Sequence, residues 1–272
     1  MCTSSQLCAE RERVGKISKA YPLKGGDGAY SYTNNSSYQR GVVDTAKKLV
    51  TDAILEKLDF NSIREVRASL TFQIADLGCS VGPNKFLAIQ NIIGAVQCKC
   101  QYQGFNPQLL EFQVFFNDHT SNDFNTLFTS IPPDRQYYAA GVAGSFHSRL
   151  FPNASLHFVH NSNAIFWLSR VPKSLVDKSF HSWNKGRIQI SDSEVEVVKA
   201  YEAQYAEDME CFLHARAQEA VAFGGLIALI TTGRPNGALY SQTLQSITYD
   251  LLGSCLTDMA KRVGNAKCSH SV

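Results

Sequence analysis

Apolar positions recur at helical spacing from about Tyr38 to Leu58, where Val42, Val43, Ala46, Leu49, Val50, Ile54 and Leu58 form one stripe. Ser36 or Ser37 stands just ahead of it as a candidate N-cap. The pattern then shortens to a strand (Leu70, Phe72, Ile74) that ends in Asp76 and runs into two spaced glycines, Gly78 and Gly82. Helical spacing resumes at Phe86, Ile89, Ile92, Ile93 and Val96, with Pro83 tolerated at the opening. A linker containing Gln, Gly and Pro (101–108) leads to a second strand at Leu110–Phe116, closing in Asn117-Asp118. Further strands are predicted near Tyr137–Val142, Leu156–His160 and Leu226–Thr231. A polar loop covers 172–191, a long helix fits Ser193–Phe223 before Gly224-Gly225, and a last helix spans about Leu239–Ala260. Strands alternating with helices predict an α/β protein built on a doubly wound parallel sheet.

Composition narrows the function classes without naming one. The chain has 272 residues, 44% of them hydrophobic, and a formal net charge of +2, so charge gives no argument for nucleic acid or an anionic membrane surface. No apolar run approaches the ~20 residues that span a bilayer, and Met1–Lys19 lacks the apolar centre of a signal peptide. A cytoplasmic location is the expectation. The eight cysteines are scattered and read as reduced thiols. Cys98 and Cys100 are too close for a zinc knuckle. The expected organisation is a flexible leader (1–20), one domain (21–261) and a tail without apolar periodicity (262–272).

Chemistry concentrates in Ile74–Asn84. Glycines after a first parallel strand let the backbone approach a nucleoside-like ligand. Asp76 beside the first glycine is unwelcome near a pyrophosphate but suits an ammonium or a ribose hydroxyl. The loop thus points to S-adenosylmethionine before NAD, and the missing third glycine also argues against an NAD-dependent oxidoreductase. Asp118, closing the second strand, either accepts from ribose hydroxyls or serves the turn at 121–125. Gly141–Phe146 either closes over an adenine, with Phe146 as a stacking face, or is a plain strand–helix turn. His157 and His160, three apart in or beside a strand, make poor joint metal ligands.

The opening Leu23–Tyr32 with Asn35–Arg40, then Ala75–Ser80, Asn122–Asn125, Gly144–Phe146, Arg149–Pro152, Leu156–His160, Trp167–Ser169, Asn184–Gly186 and Arg216–Glu219, occurs in the order of the SABATH methyltransferases, which this chain resembles over 21–261. That plant family methylates carboxyl groups of small acids and, in some branches, ring nitrogens of xanthine alkaloids. The resemblance implies a Rossmann-like class I methyltransferase sheet with a helical cap. It places Tyr32, Ser36, Asp76, Gly78, Cys79, Asn84, Asp118, His119, Ser145 and Phe146 at the S-adenosylmethionine site. It places Gln39 and Trp167 on the substrate carboxylate, Asn163 and Phe166 in the acceptor wall and Lys24 at the entrance. Asn184 would stand at a magnesium site found in some members, and a homodimer is implied.

Four departures from the family pattern carry expectations. Val81 replaces a loop serine, and His119 stands where leucine often meets the adenosine. Asn163 replaces a tyrosine of the enzymes acting on aromatic acids, so salicylate-like specificity does not carry over. After Lys261 the family pattern is no longer followed, so the last strands of the sheet and part of the cap are expected to be missing, leaving an open sheet edge. The alternatives are an inactive fragment that binds cofactor or dimerises, and an N-methyltransferase of a small heterocycle.

Overall fold

Strand β1 (Thr71–Leu77) is the centre of the molecule's sheet, and its burial follows from having sequence for two faces. Phe72 and Ile74 enter one core, while Ala75 and Leu77 enter the other; such two-sided burial is what a parallel strand between helical layers requires. The computed structural model describes residues 23–66, 71–184, 193–220, 224–233, 236–237 and 243–268. The chain divides into two units, one formed by Met1–Ser169 with Asp208–Thr231 and the other by Arg170–Glu207 with Thr232–Val272.

In the first unit α1 (Ser37–Lys57) and α2 (Phe60–Val66) precede β1, and α3 (Asn84–Tyr102) follows it. Then come β2 (Glu111–Asp118), α4 (Phe124–Thr129), β3 (Tyr138–Ala143) and β4 (Phe158–Ser162). The sheet closes with β5 (Leu226–Ile230) in the order β3-β2-β1-β4-β5, every pair parallel. The chain moves outward from β1 through β2 to β3, then returns to the other side of β1. The order therefore reverses between β1 and β4, the place where open α/β sheets leave a crevice at the strands' carboxyl ends. One core packs Ile54, Leu58, Ile89, Ile92 and Val96 from the helices under Phe72, Ile74, Phe112, Val114 and Phe116. The other gathers Ala75, Leu77, Val159, Ile165 and Phe212.

The second unit contains α5 (Lys173–Val176), the first half of α6 (Val195–Glu219) and α7 (Leu244–Cys268). Helix α7 exposes Leu244, Leu251 and Met259 while burying Ser246.

The predicted elements are present with shifted ends. Strand β2 continues through Asp118, because Asn117 and Asp118 pair with β3. Leu156 makes only an isolated bridge to Ala220, and β4 starts at Phe158. Helix α2 was not expected; Phe60 and Ile63, three apart, both bury into the core and hold it. A short helix also interrupts the expected polar loop at Lys173. Helix α7 runs past the expected end at Ala260 to Cys268. The expected leader, Leu70, all of 185–191, and the expected helix ends at Phe223 and Leu239 lie outside the described residues. Cys79, Cys98, Cys100 and Cys255 are free thiols, but Cys211 is disulfide-bonded, which corrects the all-reduced reading. Among the described residues no helix is long and apolar enough to cross a membrane.

Candidate cofactor and acceptor site

The glycine turn after β1 is shaped by close approaches. Gly78 has φ +77°, and a Cβ there would lie 2.3 Å from the Cβ of Ala164; only glycine satisfies both conditions. Its N–H and that of Cys79 donate to the Asn117 carbonyl at 2.9 Å each, tying the turn to β2. A Cβ at Gly82 would meet the Tyr32 ring at 2.8 Å. The loop is thereby closed on one side by the Leu23–Tyr32 segment.

Asp76, at the end of β1, is 3% exposed, and one carboxylate oxygen lies 2.7 Å from His160 Nδ1. Parallel register sets His160 of β4 directly opposite Asp76. The other oxygen, Oδ2, is buried without a hydrogen-bond partner among the described residues. A buried carboxylate oxygen left bare is costly, and a donor brought in by a ligand removes that cost. Asp76, Tyr32, Gln39, Gly78, Cys79, Asn84, Lys85, His160 and Asn163 line one cavity of about 40 Å³.

Ser36 precedes α1 but makes no side-chain cap bond. Its hydroxyl and carbonyl instead accept from the Asn84 amide at 3.0 Å each. Asn84 also hydrogen-bonds the Tyr32 phenol, whose pKa is pushed up by burial and then by Asp76. Burial likewise pushes the Cys79 thiol well above its ordinary range, with Asp76 adding to it, so the thiol stays protonated.

Asp118 accepts the Ser80 N–H at 2.6 Å and the His119 N–H at 2.7 Å. It therefore braces the glycine loop. The alternative turn role belongs to Asp123, whose Oδ1 accepts from Thr126 N at 2.9 Å and caps α4. Burial raises the Asp118 pKa while those two N–H donors lower it. His119 turns to Ser121, 3.2 Å from its hydroxyl.

The loop after β3 is drawn to the same end of the sheet: Gly144 N donates to the Asp118 carbonyl at 2.9 Å. The Phe146 ring comes 3.6 Å from where a Gly78 Cβ would lie and packs edge-on against Phe212. Ser145 Oγ accepts from His147 N at 3.3 Å. Fully buried Arg216 holds this loop, donating to the Phe146 carbonyl at 2.7 Å and the Ser148 carbonyl at 2.8 Å. Its partner Glu219, 2.7 Å away, accepts the N–H groups of Leu150 and Phe151.

Several implied acceptor residues are not gathered into the cavity. Gln39 and Asn163 line it, Gln39 with its amide oxygen buried and without a partner among the described residues. Asn163 sits at φ +55°, turning the chain out of β4, and Trp167 follows on that turn 62% exposed, its ring 5.7 Å from that of Phe166. Lys24 is exposed, its ammonium 5.6 Å from the Tyr30 ring. Asn184 belongs to the second unit, where its amide oxygen accepts the Ser193 hydroxyl at 3.3 Å and its side chain bonds Tyr201. Hydroxyl neighbours do not make a magnesium shell, and among the described residues no group of three His, Cys, Asp or Glu could hold a metal. Among the described residues this donor set does not make up the implied magnesium site.

Two residues escaped the sequence reading. His160 was weighed only as a metal ligand, although strand register against Asp76 was the signal. Lys85, inside the cavity wall, carried no motif signal at all.

An all-parallel sheet with a glycine crevice, a bare acid and an aromatic loop defines a nucleoside-cofactor protein of the doubly wound class. The sequence profile of the S-adenosylmethionine-dependent carboxyl methyltransferases matches residues 18–267, and the chain belongs to that family. It is 48% identical to loganic acid O-methyltransferase of Catharanthus roseus over 245 residues, 90% of this chain and 65% of that protein. It is 43% identical to farnesoic acid carboxyl-O-methyltransferase of Arabidopsis thaliana over 246 residues, 90% of this chain and 68% of that one. A solved loganic acid methyltransferase with SAH superposes with TM-score 0.83 at 46% identity, covering 89% of this chain and 67% of the other. The fold is that of a class I methyltransferase, and the chain spans about two thirds of the length of these relatives.

Proposed function

We propose that this chain transfers a methyl group from S-adenosylmethionine to the carboxylate of a small acid, giving a methyl ester. The observation that carries it is the bare Asp76 oxygen beside a glycine cradle, in a chain of this family. Asp76, Gly78, Cys79, Tyr32, Ser36 and Asn84 would hold the methionyl end, and Asp118, His119, Ser145 and Phe146 the adenosine. Bound there, the cofactor supplies an electrophilic methyl on a sulfonium.

The chain's own work is alignment. A carboxylic acid is ionised near neutral pH, so no side chain has to remove a proton. Cation and anion combine to neutral products, and a cation clamped on the carboxylate would favour the ground state over the transition state. Gln39 and Trp167 are neutral donors that aim an oxygen without quenching its charge. Orientation of this kind is worth effective molarities of ~10⁵ M or more. Trp167, exposed in this structure, would have to turn toward the acceptor for its part.

A second reading, a cofactor-binding partner without turnover that pairs with another copy, is favoured by one observation, the apolar side chains that α7 leaves exposed. Exposed Leu244, Leu251 and Met259 on α7 support the pairing. Incubation with methyl-labelled S-adenosylmethionine and a panel of small carboxylic acids decides between them. Labelled ester is the expected product, and Gln39→Ala should lose most turnover at nearly unchanged donor affinity. Donor binding without any labelled ester would put the second reading in place of the first.

A further inference from the structure

Lys85 is 5% exposed at the start of α3, a helix end whose dipole disfavours a cation. Its ammonium donates to the Gly82 carbonyl at 2.7 Å and the Ser80 carbonyl at 3.3 Å, and lies 4.6 Å from the centre of the Phe86 ring. A hydroxyl could bond the same carbonyl without the expense of burying a charge. What the lysine adds is therefore the charge itself. Lys85 lines the cavity with Asp76, and the charged and titratable groups around it come from every side. They are Asp76 of β1, Cys79 of the turn, Asp118 of β2, His160 of β4 and Tyr32 of the opening segment. Cys79 and Tyr32 remain neutral near pH 7, their pKa values being raised by burial. With His160 bonded to Asp76, the groups that face the Lys85 ammonium are the carboxylates of Asp76 and Asp118.

We propose that Lys85 is a specificity-determining residue of the donor site: its buried ammonium offsets one of the two carboxylates and so sets how strongly the site prefers a cationic sulfonium donor over its neutral thioether product. The inference rests on the methyl-donor reading. S-adenosylmethionine and S-adenosylhomocysteine share the nucleoside and the amino-acid end and differ by one methyl and one positive charge. Acids alone would hold the donor tightly, stabilising the charge that must vanish in the transition state. Lys85 moderates that hold, at the expense of stronger retention of the product. Burial lowers the Lys85 pKa to about 8, so the effect is strongest below that pH and fades above it.

Binding of both ligands to the wild type, Lys85→Met and Lys85→Thr is measured by calorimetry, Thr keeping a hydroxyl for the Gly82 carbonyl. At about pH 7 both variants should raise the ratio of product to donor dissociation constants roughly tenfold over the wild type, as removing one charge near the site implies. At about pH 9.5 that gap should close, since wild-type Lys85 is then neutral too. Titration of the free ligands' own amines is common to the three proteins and drops out of the comparison. General damage to the loop would weaken both ligands alike and leave the ratio unchanged, which would overturn the proposal. So would a raised ratio that persists unchanged at about pH 9.5. If the wild type bound neither ligand, the donor-site reading itself would fall; if it bound both with a ratio insensitive to Lys85, only this inference would.

Discussion

Asp76 is held from one side by His160, and its other oxygen has no hydrogen-bond partner among the described residues, so it is able to accept a further hydrogen bond. His160→Leu removes the brace and leaves both oxygens of a buried carboxylate without a protein partner. A loss of about 1–3 kcal/mol in denaturant unfolding is expected, together with weaker methyl-donor binding. Unchanged values for both would show that the pair is incidental. Lys85 gives a second prediction at this scale, with a definite sign. Its folded pKa of about 8 lies below the ordinary lysine value of 10.5, so the unfolded chain binds more protons between them and stability rises with pH in that window. From about pH 7.5 to 9 the wild type should gain thermal stability relative to Lys85→Met, and a constant difference across that range would contradict it. Asp76, the glycines and Asp118 were legible in the sequence because each belongs to a local pattern. His160 and Lys85 were not, since a partner across the sheet or a charge folded under a loop leaves no local trace. For Asp118 the sequence left two roles open; the structure shows it accepting the Ser80 and His119 N–H groups while Asp123 caps α4.

At the scale of elements, periodicity located the strands and principal helices, and tertiary pairing moved their ends. Ser36 shows why: it stands where a cap belongs, yet its hydroxyl serves Asn84 of another element. Short α2 and α5 escaped because a single turn or two holds too few apolar positions to show a period. The glycine turn is the element on which the site depends. Gly78→Ala forces a side chain into φ +77° and against Ala164; a loss of about 1–3 kcal/mol and failure of donor binding are expected. Gly41→Ala, in α1 with nothing within 4 Å of the added Cβ, should instead stabilise by up to ~1 kcal/mol with binding intact. Equal effects at the two positions would refute the special role of the turn. The Arg216–Glu219 pair acts at the same scale, holding the Phe146 loop to α6. Arg216→Met strands a buried carboxylate and should reduce stability by about 3–5 kcal/mol in urea unfolding, whereas a change below ~1 kcal/mol would place the clamp elsewhere.

For the whole molecule, alternating strands and helices were enough to foresee a doubly wound parallel sheet, and the order β3-β2-β1-β4-β5 puts the crevice at its point of reversal. The division into two units was less legible, because α6 contributes to both without a break in its helical pattern. The acceptor side was read from family likeness more than from residue physics. Of the residues it named, Gln39 and Asn163 reach the cavity wall, while Trp167 and Lys24 stand exposed. The donor side is the central claim. Titration calorimetry of the purified chain with S-adenosylmethionine and, separately, NAD tests it most directly. One-site binding of S-adenosylmethionine, abolished by Asp76→Ala, with no heat from NAD, is the expected result. Binding that survives Asp76→Ala, or binding of NAD in place of the methyl donor, would contradict it.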